Sequence, residues 1–280
     1  MQKFLLYISV LTIAVVSFSS CNNELRRIEK SNNFEKKLAY ADKMYSKKKY
    51  NTAATLYADL MQVYKGTDKF EGLYYNMAYC SYYVKDYVQA AFNFKNYLDL
   101  FPNSPRAVEV DYMQAYCYYK QSPKVSLDQT NTMKAIAAMQ TFINNYPTSP
   151  KVAEANLVIE LCRRKLETKE FNAAELYFNL GYFKAAGIAF KGLMRNYPDS
   201  DKSDGYKIMA IRAYYQYAKN SVPDRQKERY ETVLSEYLDF ADHYPNSKLK
   251  PEAEKFYTLA QSNIKTLENE QNKAKSNQQP

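Results

Sequence analysis

One pattern recurs five times along this chain and restricts what it can fold into. A small residue stands at Ala41, Ala78, Ala115, Ala174 and Ala213, and a second small or branched one at Ala53, Ala90, Ala135, Ala186 and Val233. Four residues on comes a bulky side chain, Tyr57, Phe94, Met139, Phe190 or Tyr237. Three further on comes another, Leu60, Tyr97, Phe142, Leu193 or Phe240. Five residues later each segment closes, at Lys65 in the first copy and at Pro102, Pro147, Pro198 and Pro245 in the others. Spacings of three and four place these positions on one helix face. Small residues let two antiparallel helices approach, and large ones fill the space beside them. The proline stops the second helix, and the polar residues after it start the next. Four such junctions stand out: Phe101-Pro102-Asn103-Ser104, Tyr146-Pro147-Thr148-Ser149, Tyr197-Pro198-Asp199-Ser200 and Tyr244-Pro245-Asn246-Ser247. With 6 Gly and 10 Pro in 280 residues, breakers are too rare for a sandwich or barrel.

The pattern resembles the tetratricopeptide repeat, a helix–turn–helix unit of about 34 residues. The expected fold is all-α: a tetratricopeptide-repeat solenoid of about five units with a C-terminal capping helix over Leu249 to Leu267. The two small sites lie 12 residues apart in copies one, two and four and 20 apart in copies three and five. The extra residues, near Ser122-Pro123 and Val222-Pro223, are expected to form loops on one edge. Lys151 to Leu180 contains neither Pro nor Gly before Leu180 and predicts one long helix joining repeats one to three to repeats four and five. The expected organisation is therefore an N-terminal repeat module over 34–150, a C-terminal module over 151–267 and a frayed polar tail over 268–280.

The N-terminus reads as a targeting segment. Met1 to Lys3 is positive, and Phe4 to Phe18 is an uncharged apolar run, shorter than the roughly 20 residues that span a bilayer. Ser19-Ser20-Cys21 closes it with small residues before a cysteine, resembling a bacterial lipobox. Residues 1–20 are expected to be a lipoprotein signal peptide, Cys21 the lipidated residue and 21–33 a linker. Several acyl chains on one residue anchor firmly, since each buried CH₂ contributes about 0.8 kcal/mol. Asn22 follows Cys21; the aspartate that holds enterobacterial lipoproteins in the inner membrane is not there, which points to the outer membrane.

Little else in the chain carries chemistry. Cys80, Cys117 and Cys162 stand in predicted helices with no metal-ligand or redox spacing, and His243, the single histidine, lies at a helix end. No phosphate loop, nucleophile elbow or HExxH appears. No catalytic residues, no metal and no cofactor are expected. The net charge of +9 comes from scattered basic residues, the densest run being Lys47-Lys48-Lys49 at a predicted turn. No nucleic-acid-binding motif accompanies it, so no nucleic acid is expected as a partner. Mean hydropathy of −0.60 excludes a polytopic membrane protein.

What remains is a binding surface. The resemblance to tetratricopeptide stacks implies that each first helix lines a groove with three positions spaced i, i+4, i+7 on one face. In repeat two these are Tyr75, Tyr79 and Tyr82, in repeat three Tyr112, Tyr116 and Tyr119. Repeat five supplies Ala210, Tyr214 and Tyr217, and repeat one Tyr45. Tyrosine, 29 of 280 residues, is common throughout, so the same rings also fit helix-to-helix packing. A tyrosine combines a rigid apolar face with a hydroxyl, which suits peptide recognition.

Lipobox, repeats and long helix together resemble the BamD family, lipoproteins of the outer-membrane β-barrel assembly machine. The most specific stretches are Leu127-Asp128-Gln129-Thr130-Asn131-Thr132, Phe142-Ile143-Asn144-Asn145-Tyr146-Pro147 and Tyr182-Phe183 with Ala185-Ala186. The resemblance implies a scaffold on the periplasmic face of the outer membrane. Its implied partners are the periplasmic domains of a BamA-like barrel insertase and unfolded β-barrel substrates, with acylated Cys21 in the lipid. Two other readings stand beside it. A cell-division or envelope coordinator of the same architecture often carries a coiled coil ahead of its repeats, where this chain has only Asn22 to Asn33. A glycan-uptake lipoprotein would use aromatic platforms but is typically larger and rich in Trp, which is absent here.

Overall fold

The computed structural model describes residues 24–276, with side chains through Lys273. The signal peptide and Cys21 lie outside the described residues, as does 277–280. Among the described residues the regular structure is helical throughout: α1 (24–29), α2 (Phe34–Ser46), α3 (Tyr50–Tyr64), α4 (Lys69–Tyr83), α5 (Tyr87–Leu100), α6 (Ala107–Gln121), α7 (Thr130–Asn145), α8 (Val152–Asn179), α9 (Phe183–Asn196), α10 (Ser203–Lys219), α11 (Pro223–His243) and α12 (Lys250–Ser276). These are five helix–turn–helix units followed by a cap, the all-α tetratricopeptide architecture expected from the repeat.

The small sites work as anticipated. Ala41, Ala78, Ala115, Ala174 and Ala213 are buried, as are Ala53, Ala90, Ala135, Ala186 and Val233. Tyr57, Phe94, Met139 and Phe190 are fully buried beside them. The fifth copy departs: Tyr237 is half-buried and stacks on Tyr257 of the cap at 4.5 Å. Glu236, one residue earlier, turns inward instead, accepting from buried Lys207 and from Lys191.

The turns repeat as well. Lys48 (φ 59°), Lys85 (φ 67°) and Gly181 (φ 81°) occupy the left-handed region at the same place in units one, two and four. Around each, paired backbone bonds close the first helix, as in Lys49 N to Met44 O at 2.9 Å and Lys48 N to Tyr45 O at 2.9 Å. After each proline junction the serine hydroxyl accepts the backbone N–H two residues on, at Arg106 (3.0 Å), Lys151 (3.2 Å), Lys202 (3.2 Å) and Leu249 (3.1 Å). Three of these serines also donate to a carboxylate of an earlier first helix, near its start for Glu71 and Asp204 and midway along α8 for Glu167. Ser104 meets Glu71 at 2.7 Å, Ser247 meets Asp204 at 2.6 Å, and Ser200 meets Glu167. These three junctions are thereby tied to the helix pair before them.

Two compact units emerge, one ending at Cys162 and the other beginning at Arg163. The division falls inside α8, whereas the expected module boundary of 150/151 falls at its start. In the first unit α8 packs Ala155, Val158 and Cys162 against Met139 and Phe142. In the second, Ala174 joins Ala186, Phe190 and Leu193. A stretch with no breaker before Leu180 forms the 28-residue helix predicted for it.

Three expectations are corrected. The linker 21–33 contains α1, whose Leu25 and Ile28, three apart, enter the first core cluster. The extra residues near Val222-Pro223 are not a loop: Pro223 opens α11, whose missing N–H costs nothing in a first turn, and the insertion lengthens the helices. The tail is helical through Ser276, because no breaker interrupts it and Lys227 pairs with Glu268 at 2.7 Å. The insertion near Ser122 is a loop, stitched by buried Gln129, which donates to Lys124 O at 2.8 Å and Leu127 O at 3.0 Å.

Candidate functional site

The six tyrosines singled out from the sequence lie on α4 and α6 of the first unit and meet in a continuous chain of rings. Tyr75 contacts Tyr79 at 4.7 Å, and Tyr79 contacts Tyr82 at 6.3 Å. Tyr82 reaches across to Tyr116 at 6.5 Å, linking the two helices. Tyr116 stacks on Tyr112 at 5.7 Å and meets Tyr119 at 5.5 Å. These are offset and edge contacts of the kind aromatic rings favour.

Their exposure is uneven. Tyr75, Tyr82, Tyr116 and Tyr119 are half-buried and present part of each ring to solvent. Tyr79 and Tyr112 are 6% and 2% exposed and form the floor, packed edge-on against Phe94 at 5.1 Å and Phe142 at 5.6 Å. Tyr79 and Tyr112 thus pack helix against helix, while the other four leave part of each ring at the surface. Of repeat five's positions, Ala210 is buried, Tyr214 packs in the core and Tyr217 lies beneath the Arg229 guanidinium at 4.0 Å.

The surface extends beyond the six. Tyr83 is 44% exposed, stacks on Tyr50 at 4.5 Å and lies 6.4 Å from Tyr45, carrying the aromatic face to the first repeat. Its position next to Tyr82 was the only signal for it. Polar groups organise the rings. Glu109 of α6 accepts from Tyr75 Oη at 3.0 Å and from Tyr79 Oη. The Arg106 guanidinium covers Tyr75 at 4.5 Å, Lys151 Nζ covers Tyr112 at 5.0 Å, and Lys120 Nζ lies 5.9 Å from Tyr116. Glu109 and Arg106 follow the Pro102 junction and precede Tyr112, so they belong to the first turn of α6, too far from α4 in sequence to be read as its partners.

Burial pushes the Tyr82 hydroxyl up to about 12 and raises Tyr75 and Tyr79, the latter also through its bond to Glu109. All three hydroxyls stay protonated at neutral pH, those of Tyr75 and Tyr79 donating to Glu109. The Tyr112 hydroxyl is buried without a well-formed hydrogen bond; burial first, then nearby Glu154, raises its pKa. The bond from Lys151 holds Glu154 below the usual carboxylate range.

Elsewhere the described residues hold little reactive chemistry. Cys80, Cys117 and Cys162 are buried, and burial pushes the first two thiols up to about 12, leaving them protonated. His243 ends α11, with Nδ1 3.1 Å from Asp239 Oδ1.

Five helix–turn–helix units with one aromatic face define a tetratricopeptide-repeat protein. The family described as YfiO, outer membrane lipoprotein, matches residues 33–229. The chain belongs to that family. It is 26% identical over 136 residues to the outer membrane protein assembly factor BamD of Caulobacter vibrioides, covering 49% of this chain and 45% of that protein. It is 26% identical over 197 residues to the putative outer membrane protein assembly factor BamD of Aquifex aeolicus, covering 70% of this chain and 61% of that protein. The match therefore spans about half to three fifths of these relatives. Among solved structures, the TPR2AB-domain:pHSP90 complex of yeast Sti1 aligns with a TM-score of 0.40 at 14% identity, covering 81% of this chain and 98% of that one.

Proposed function

We propose that this chain is a lipid-anchored scaffold on the periplasmic face of the outer membrane that takes part in assembling β-barrel proteins. It binds and does not catalyse. Its tyrosine face receives extended segments of unfolded barrel proteins, and its second unit is the main contact for the periplasmic domains of a BamA-like insertase. Family membership and the assembly-factor names of the two BamD relatives support the assembly role. The run of half-buried rings from Tyr75 to Tyr119 carries the substrate reading. Barrel strands alternate apolar and polar residues and end in aromatic girdles. Tyr82, Tyr116 and Tyr119 can stack on such rings while their hydroxyls satisfy exposed backbone groups, a combination that tolerates many sequences. Lipidation of Cys21 supplies the anchor.

Affinity capture of the tagged full chain from solubilised outer membranes tests the reading. The insertase should dominate the eluate, and a photoreactive group at Tyr116 should cross-link barrel precursors. An eluate lacking both refutes it.

A further inference from the structure

The start of the fold carries a surface that the tyrosine face does not explain. Helix α1 is amphipathic: Leu25 packs into the first core cluster and Ile28 is 5% exposed, while Arg26, Arg27 and Lys30 point to solvent. The helix is held in place, since buried Lys37 donates to Glu29 O at 2.9 Å. Lys36 and Phe34, the latter 42% exposed, follow at the start of α2. Nearby carboxylates are largely taken: Glu24 pairs with Lys43 at 3.5 Å and Glu35 with Lys69 at 3.1 Å. Four exposed cations therefore face one further carboxylate, Glu29.

Their place in the chain decides what they meet. Only residues 22 and 23 separate Cys21 from Glu24. At no more than about 3.6 Å per residue, α1 begins within about 11 Å of Cys21 whatever path they take. That distance is close to the Debye length of about 8 Å at physiological ionic strength, so the cations of α1 lie within electrostatic range of the bilayer surface. We infer that Arg26, Arg27, Lys30 and Lys36, with Phe34 as an interfacial aromatic, form a docking surface for anionic phospholipid headgroups of the bilayer that holds the anchor. The inference rests on the lipidation of Cys21 proposed above. The anchor supplies residence on the membrane, and the patch fixes which side of the first repeat faces it.

The test separates patch from anchor. The full mature chain carrying Cys21→Ser, and hence no lipid, is sedimented with vesicles of phosphatidylethanolamine and phosphatidylglycerol, or of phosphatidylcholine alone. Salt-sensitive binding is expected to the anionic vesicles and not to the neutral ones. The triple variant Arg26→Gln, Arg27→Gln, Lys30→Gln should weaken it on the order of 100-fold. A charge-matched triple on exposed lysines of the second unit, Lys184→Gln, Lys202→Gln, Lys248→Gln, should change it less than about threefold, because those cations lie outside the patch. Unchanged melting of both variants confirms that the fold is intact; if the first triple unfolds, Lys30→Gln alone, expected at about fivefold, replaces it. Absence of binding to anionic vesicles, or equal losses from both triples, overturns the patch. Mass spectrometry of the wild-type chain answers for the anchor independently: an unmodified Cys21 refutes lipidation, whereas vesicle binding by the Cys21→Ser chain still supports the patch.

Discussion

Replacing Glu71 by Ala should loosen the first unit by a measurable and calculable amount. Glu71 Oε1 accepts from Tyr97 Oη at 2.7 Å and from Ser104 Oγ at 2.7 Å, joining the first helix of repeat two to the junction that ends it. Hydrogen bonds to a charged acceptor contribute about 1.5–3 kcal/mol each. The two are not lost in full, because the two hydroxyls lie 2.8 Å apart and keep each other satisfied. Loss of one such bond, with the carboxylate's favourable place in the first turn and a small gain in helix propensity, leaves a net cost of about 2 kcal/mol. For a unit of this size that lowers its Tm by about 4–8 °C. The assay is thermal and urea unfolding of wild type, Glu71→Ala, Ser104→Ala and the double variant, with the double costing less than the sum. The bonds from Tyr97 and Ser104 hold the Glu71 carboxyl below its ordinary range. A depressed folded-state pKa gives stability that is present above the unfolded value near 4.3 and lost as pH falls through the folded value. Wild type should therefore lose stability on acidification below about pH 4.3, and Glu71→Gln should show a shallower loss there. A Glu71→Ala variant within about 0.5 kcal/mol of wild type, or strictly additive single changes, would refute the reasoning.

Three further outcomes are expected. Lys85→Gly, at a left-handed turn position, should stabilise the chain by up to about 1 kcal/mol in urea unfolding, while Lys85→Val should destabilise it. Gly187→Ala should destabilise by about 1 kcal/mol: its Cβ would stand 2.8 Å from Tyr214 Cε1 and Cζ, and overpacking of about 1–3 kcal/mol exceeds the helix-propensity gain of about 1 kcal/mol. Cys21→Ala should leave the chain soluble or unprocessed in membrane fractionation, with acyl chains found by mass spectrometry on the wild type alone.

What was legible from the sequence was what repeats locally. The alanine sites, the four Pro–Ser junctions and the uninterrupted α8 are short patterns with direct steric meaning. The carboxylates that receive the junction serines were not, because Glu71 and Ser104 lie 33 residues apart. Their trace was present: Glu71 and Glu167 each stand seven residues before an alanine site, Ala78 and Ala174. Insertions were harder to read. Eight extra residues make a loop where Gln129 can bridge backbone carbonyls, and lengthen helices where Pro223 can open one. The six tyrosines read from the repeat do contact one another, but periodicity does not separate floor from rim. Tyr79 and Tyr82 differ by less than a helical turn, yet one seals against Phe94 while the other meets the neighbouring repeat. Cross-helix partners such as Glu109 become visible only once α4 and α6 are adjacent.

The most direct measurement is calorimetric titration of the full chain with peptides taken from the C-terminal strands of β-barrel proteins, comparing wild type with Tyr82→Ala/Tyr116→Ala. These two rings are half-buried and span the two helices, so their removal strips the surface without opening its floor. At about 0.5–1.5 kcal/mol per aromatic contact beyond area burial, losing both should weaken binding by about tenfold or more. Helicity and insertase capture should be unchanged. Equal peptide affinity in the two proteins, with the variant folded, would contradict the account.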